Sequence, residues 1–130
     1  MKVVHKKSAF EDERGQILDI LEDEIIDSVT LISSKKGAIR GNHYHKESVQ
    51  YTFVLKGRLK LVTEMPGEEI RTTVIRAGDL VFTPPMEKHA LVAEEDSEFL
   101  VLTRGPRGGE NYEKDTYRLA KSLVSDEEPD

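Results

Sequence analysis

The chain of 130 residues is long enough for one hydrophobic core and short for two, so a single domain is expected. Nineteen Lys and Arg against 25 Asp and Glu give a net charge of -6, which disfavours generic attraction to nucleic acid or to an anionic membrane surface. The absence of cysteine excludes disulfides and thiolate metal or redox chemistry, so any metal must be held by His, carboxylate, amide or water.

The opening stretch MKVVHKKSAF lacks the continuous apolar core of a secretory signal, and no apolar run approaches the ~18 residues that cross a bilayer. A soluble, cytoplasmic protein is the expectation. From Gly15 to Arg104 the apolar runs are short, rich in Val, Ile, Leu and Phe, and punctuated by Gly, Pro or acidic turns. This predicts strands over Gln16 to Leu21, Ser28 to Ser33, Val49 to Leu55, Leu59 to Thr63, Ile70 to Ile75, Leu80 to Thr83, Ala90 to Ala93 and Glu98 to Leu102. The turns Lys56-Gly57-Arg58, Met65-Pro66-Gly67-Glu68, Ala77-Gly78-Asp79 and Glu94-Glu95-Asp96-Ser97 divide them into hairpins. Such a series makes an all-β sandwich or barrel. Within it, Val49, Tyr51, Phe53 and Leu55 share one face of a strand and Gln50, Thr52 and Val54 the other, which suits a strand that packs outside and lines a partly polar cavity inside.

After Gly105-Pro106-Arg107-Gly108-Gly109, the segment Asn111 to Val124 reads as a short helix or an extended arm, with Thr116 to Val124 the helical part. The predicted layout is a barrel over about 10–103, an arm over 104–124 and a solvated acidic tail over 125–130.

Three of the four histidines, His43, His45 and His89, stand beside turns in the strand-rich region. On an extended chain the i, i+2 spacing of His43 and His45 points both imidazoles to one face, as a metal ion or a bound substrate requires. Partly exposed polar residues at a strand end are the plain alternative, and an HxH pair alone is weak evidence. His5, in the basic stretch HKK, reads as a surface residue.

Gly37-x5-His43-x-His45-x4-Gln50-x6-Gly57 resembles the first cupin motif, and Gly78-x5-Pro84 with His89 five residues beyond resembles the second. The resemblance covers about Phe10 to Thr103 and implies a double-stranded β-helix, the cupin or jelly-roll barrel. Two departures stand out. Gln50 replaces the first motif's usual glutamate, and Met86 and Ala93 hold the second motif's glycine and asparagine positions. A site of His43, His45, His89 and Gln50 would therefore hold one divalent metal (zinc, iron, manganese or nickel) without cancelling its charge.

Phe10-x-Asp12-x-Arg14-Gly15, then Arg40-Gly41-Asn42-His43-Tyr44-His45-Lys46 and Gln50, resembles the cupins that act on nucleotide-linked sugars. These include 3,4-ketoisomerases of dTDP-4-keto-6-deoxyglucose, dTDP-4-dehydrorhamnose 3,5-epimerases and the C-terminal cupin of capsular-polysaccharide sugar reductases. Asp115-Thr116-Tyr117 and the string Arg40-Gly41-Asn42-His43-Tyr44-His45 are similar to the last, whose equivalent histidines can hold zinc. The resemblance implies an isomerase or epimerase of a nucleotide-linked keto-deoxysugar in polysaccharide or deoxysugar synthesis, with His43 and His45 as catalytic acid and base. Arg40 is the leading diphosphate-binding residue, with Arg14 and Lys46 secondary. The alternatives are a metal-dependent dioxygenase or decarboxylase and a non-enzymatic binder of a sugar or small acid. A homodimer is expected because edge strands of small barrels pair or exchange.

Overall fold

A computed structural model describes residues 1–106 and 110–124. The predicted acidic tail, 125–130, and the last three residues of the glycine-rich stretch, 107–109, lie outside the described residues. The chain runs β1 (Lys2–His5), β2 (Phe10–Asp12), β3 (Gly15–Ile17), β4 (Ser28–Ser34), β5 (Ile39–Tyr44), β6 (Val49–Lys56), β7 (Arg58–Glu64), β8 (Arg71–Arg76), β9 (Asp79–Thr83), β10 (Lys88–Ala93), β11 (Ser97–Arg104), α1 (Glu110–Lys114) and β12 (Tyr117–Arg118).

Two five-stranded antiparallel sheets, ordered β1-β9-β6-β11-β4 and β12-β5-β10-β7-β8, make the cupin jelly roll, and β2 and β3 form a separate hairpin. Between the sheets, Val54, Leu59, Leu61, Ile75, Val81, Ala93, Phe99 and Val101 form the main core. Burying eight such side chains is the chief favourable term for a chain this small. A second cluster, Val62, Ala90 and Val124 with Ile39, Val92 and Leu123, lies on the other face of the β5-β10-β7 sheet, which the C-terminal segment covers.

Each predicted strand except the first is found to within a residue or two at most ends. For the first, only Gly15–Ile17 is extended, paired with Phe10–Asp12, and Ile17 is exposed. The alternation read in Val49 to Leu55 holds as far as Val54: Gln50 and Thr52 line the cavity, Val54 joins the core, and Tyr51 packs on Phe82. Leu55 leaves the pattern because Glu98 pairs with Lys56 and Phe99 with Val54, so Leu55 is the extra residue of a bulge and is exposed.

The sequence reading misplaced the helix. It spans Glu110–Lys114, and within Thr116 to Val124 the chain instead pairs with β5, Tyr117 opposite Tyr44 and Arg118 opposite His43. The ring of Tyr117 stacks on Tyr44 at 5.2 Å, and Leu119 N–H donates to the Asn42 carbonyl at 2.9 Å. These tertiary partners outweigh a weak helical preference. Strands β1, β2, β5 and β12 were also absent from the sequence reading, and β1 extends one sheet's edge by pairing with β9.

Candidate functional site

His43 is the penultimate residue of β5, His45 follows that strand and His89 stands at the start of the neighbouring β10, directly opposite His43. Ring centroids lie 4.8 Å apart for His43 and His45, 4.6 Å for His43 and His89, and 5.6 Å for His45 and His89. The structure thus brings together all three histidines singled out in the sequence.

A bulge makes this arrangement possible. His89 pairs with His43 and Ala90 with Gly41, so Asn42 is an extra residue in β5, and Gly41 and Asn42 both have positive φ, 91° and 56°. The added residue shifts the alternation of side chains. Arg40 thereby lines the same cavity as His43, while Ile39 packs on the opposite face with Val62 and Ala90. A Cβ on Gly41 would stand 2.7 Å from the His89 carbonyl oxygen and 3.2 Å from Ala90 Cα, both backbone atoms. Gly41→Ala is therefore expected to cost about 2 kcal/mol through the clash and the left-handed backbone, read as a lower urea midpoint. An unchanged midpoint would show that β5 and β10 part without strain.

The cavity has a volume of about 200 Å³. Its polar wall is His43, His89, Gln50, Thr52, Thr83 and Tyr112, with Arg40 exposed at its edge, and its apolar wall includes Leu61, Ile75, Val81, Phe99 and Val101. Among the described lining residues there is no carboxylate. Tyr112, carried by α1, was not singled out in the sequence, and its ring centroid lies 5.4 Å from His45 and 6.5 Å from His43.

Backbone carbonyls only accept hydrogen bonds, so the contacts of His45 Nδ1 with Asp115 O at 2.9 Å and of His89 Nδ1 with Glu87 O at 3.2 Å place protons on both Nδ1 atoms. Nε2 is then the nitrogen each ring offers to a substrate or a metal. Burial pushes the His89 imidazole down to about 4, the Glu87 carbonyl opposing and the neighbouring His45 adding to the effect. His89 is neutral near pH 7.

The other sequence candidates are placed differently. Gln50 is buried on the cavity wall, its Nε2 3.5 Å from Thr103 Oγ1. Arg40 donates from Nε to Ser34 Oγ at 2.7 Å and from Nη2 to the Ser33 carbonyl at 2.7 Å, which fixes its guanidinium at the cavity edge. Arg14 does not reach the site: on the exposed β2-β3 hairpin it bonds Asp12 through Nε at 3.0 Å and Nη2 at 2.8 Å. Lys46 lies along a separate groove beside Lys114 and Pro106, with Nζ 4.4 Å from the centroid of the Tyr117 ring. His5 is exposed, as read, and bonds Asp79 at 2.8 Å.

The three imidazoles suit a divalent metal by type, with one ligand atom from each lying within 4.8 Å of the others. Nitrogens sharing a zinc at about 2.0–2.1 Å stand about 3.4 Å apart, so the rings would close by about an ångström around an ion. His43, His45 and His89 would hold it, Gln50 being a weak fourth, and the metal would supply Lewis acidity. Met86, at the second motif's usual glycine position, has φ 73° and donates its N–H to the His45 carbonyl at 2.6 Å. The left-handed backbone explains why glycine is the common residue there.

No curated protein matches the chain. Among solved structures, a dTDP-4-dehydrorhamnose 3,5-epimerase from Sulfolobus tokodaii is 21% identical over 89% of this chain and 75% of its own, with a TM-score of 0.75. A sugar 3,4-ketoisomerase from Thermoanaerobacterium thermosaccharolyticum, in complex with TDP, is 21% identical over 92% and 88%, with a TM-score of 0.75. The TDP-fucose-3,4-ketoisomerase of Campylobacter jejuni is 16% identical over 88% and 86%, with a TM-score of 0.74. At these identities the likeness establishes the fold. The family model described as a cupin domain matches residues 30–103, more than half of the sequence, running from β4 through β11 and so across all three clustered histidines: the chain belongs to the cupin family.

Proposed function

We propose that the protein is an isomerase or epimerase of a nucleotide-linked keto-deoxysugar, working by proton transfer between carbon and histidine. The observation that carries this reading is the cavity wall: His43 and His89 with His45 packed against both, Tyr112 above, Arg40 at the edge and no carboxylate among the described lining residues. In such a wall the groups that exchange protons near neutrality are imidazoles.

One imidazole of the His43 and His45 pair takes the C3 proton of a 4-keto sugar, and the C–H electron pair becomes the C3–C4 double bond of an enediolate. With the O3 proton passing to O4, return of a proton to C4 gives the 3-keto isomer, while return to C3 from the other face with O4 re-forming the ketone gives the epimer. The protonated imidazole stabilises the negative oxygen in a wall with no carboxylate among its described lining residues. At about 200 Å³ the cavity is below the ~300–1,000 Å³ of a drug-sized ligand site, so the reacting ring enters and the diphosphate stays outside with Arg40. The low-identity neighbours that act on dTDP-sugars support this substrate class.

Incubation with dTDP-4-keto-6-deoxyhexoses in deuterated water is expected to place deuterium at C4 of the 3-keto product for an isomerase, or at C3 and C5 for an epimerase. Absence of label with every such sugar would overturn the reading. A second reading, a metal-dependent cupin, is favoured by the three-histidine cluster and is tested by metal content of the purified protein.

A further inference from the structure

Beyond the cavity, one buried residue 70 positions from His45 touches the histidine and the three residues that follow it. Asp115 comes directly after α1 and is only 3% exposed. Its Oδ1 accepts the N–H groups of Lys46 at 3.0 Å and Glu47 at 3.1 Å, and its Oδ2 accepts Ser48 N–H at 3.0 Å and Ser48 Oγ–H at 2.8 Å. Its own carbonyl takes the Nδ1 proton of His45. Three successive backbone donors wrapped on one carboxylate form an anion-holding nest, here filled from within the chain.

We propose that Asp115 is the positioning residue of the site, locking the Lys46–Ser48 turn and the Nδ1–H tautomer of His45 so that Nε2 is the nitrogen left to exchange a proton. The proposal rests on the proton-transfer reading above. A turn needs only local capping to form, and a local Ser or Asp would suffice for that. The carboxylate instead comes from the segment that also carries Tyr112: Asp115 N–H and Thr116 Oγ–H both donate to the Tyr112 carbonyl, at 3.1 Å and 2.7 Å. One anchor thus sets the His45 ring from one side and the Tyr112 ring over it from the other. Burial opposes the charge on Asp115, but the Ser48 hydroxyl and the three N–H groups hold its carboxyl below the usual carboxylate range, so it stays ionised near neutrality.

The test compares wild type with Asp115→Asn and Ser48→Ala by two readouts. Long-range proton–nitrogen NMR at pH 8 reports the His45 tautomer, and steady-state kinetics on the nucleotide keto sugar report kcat and KM. In Asp115→Asn the amide presents N–H groups to N–H donors, so the Nδ1–H tautomer should give way to a mixture. kcat should then fall at least about tenfold while KM stays within about twofold, because geometry rather than binding is lost. Ser48→Ala should shift both readouts the same way by less, and it carries the test if Asp115→Asn does not fold. A folded Asp115→Asn protein with the wild-type tautomer, or with kcat within twofold of wild type, would overturn the proposal. If wild type turns over no keto sugar, the functional reading fails by itself. The tautomer comparison then still decides whether Asp115 sets His45.

Discussion

His43→Asn and His45→Asn should each reduce solvent deuterium incorporation into the keto sugar by about 10²-fold or more. Loss of a positioned general acid or base typically costs 10²–10⁴-fold, and an amide neither takes up nor releases a proton near neutrality. Asn is the informative replacement at position 45. Its side-chain N–H can still donate to the Asp115 carbonyl, so the buried bond at 2.9 Å has a substitute and the turn beyond it can keep its shape. At position 43 the change leaves the β5 bulge intact, because that bulge is set by backbone at Gly41 and Asn42. Circular dichroism of each variant separates lost chemistry from lost fold. A folded variant that exchanges within about threefold of wild type would remove that histidine from the mechanism.

Acid should destabilise the barrel through His89 before it acts on the carboxylates. An unfolded histidine titrates near 6.5, while burial holds His89 at about 4 in the folded state, so the unfolded chain binds the extra proton between those values. The sign follows: stability from this group is constant above about pH 6.5 and is lost as pH falls through the folded value near 4. The full loss is on the order of 3 kcal/mol, with about 2 kcal/mol already gone at pH 5. That is large against a typical total of about 5–15 kcal/mol. Urea unfolding at pH 7.5 and 5, with chelator present so that no metal competes for the imidazole, should show the drop in wild type. His89→Gln should flatten it. An equal drop in both proteins would place the acid sensitivity elsewhere.

What the sequence disclosed is what is local. Alternation in Val49 to Val54 is visible within one strand, and the faces read from it match the cavity and the core. The spacing of His43 and His45 likewise needs only an extended chain, and the proline-to-histidine interval brought His89 into the same set. The bulge was not legible, because the register that makes Asn42 an extra residue belongs to the partner strand β10. Without it Arg40 would face away from the cavity. Tyr112 and Asp115 were missed as site residues for a similar reason: they lie about 70 positions from His43 and His45, and no short-range pattern joins them. The helix was misplaced because the pairing of Tyr117 with Tyr44 is likewise long-range. Arg14 was proposed from a motif, whereas its bonds to Asp12 across a tight turn are local and hold it on a hairpin away from the site. One cheap signal was available for Gly41, since a glycine inside a strand pattern often marks a bulge or a close backbone approach.

The central claim is that the histidine pair moves a proton at carbon without help from a metal. It is tested most directly by chelator-treated protein, verified metal-free, incubated with a dTDP-4-keto-6-deoxyhexose in deuterated water and followed by NMR. Deuterium is expected at C4 of the 3-keto product of an isomerase, or at C3 of an epimerised sugar, at the same rate as for untreated protein. Exchange that vanishes on chelation and returns with stoichiometric added metal would contradict it, and would assign His43, His45 and His89 as ligands instead of an acid and base.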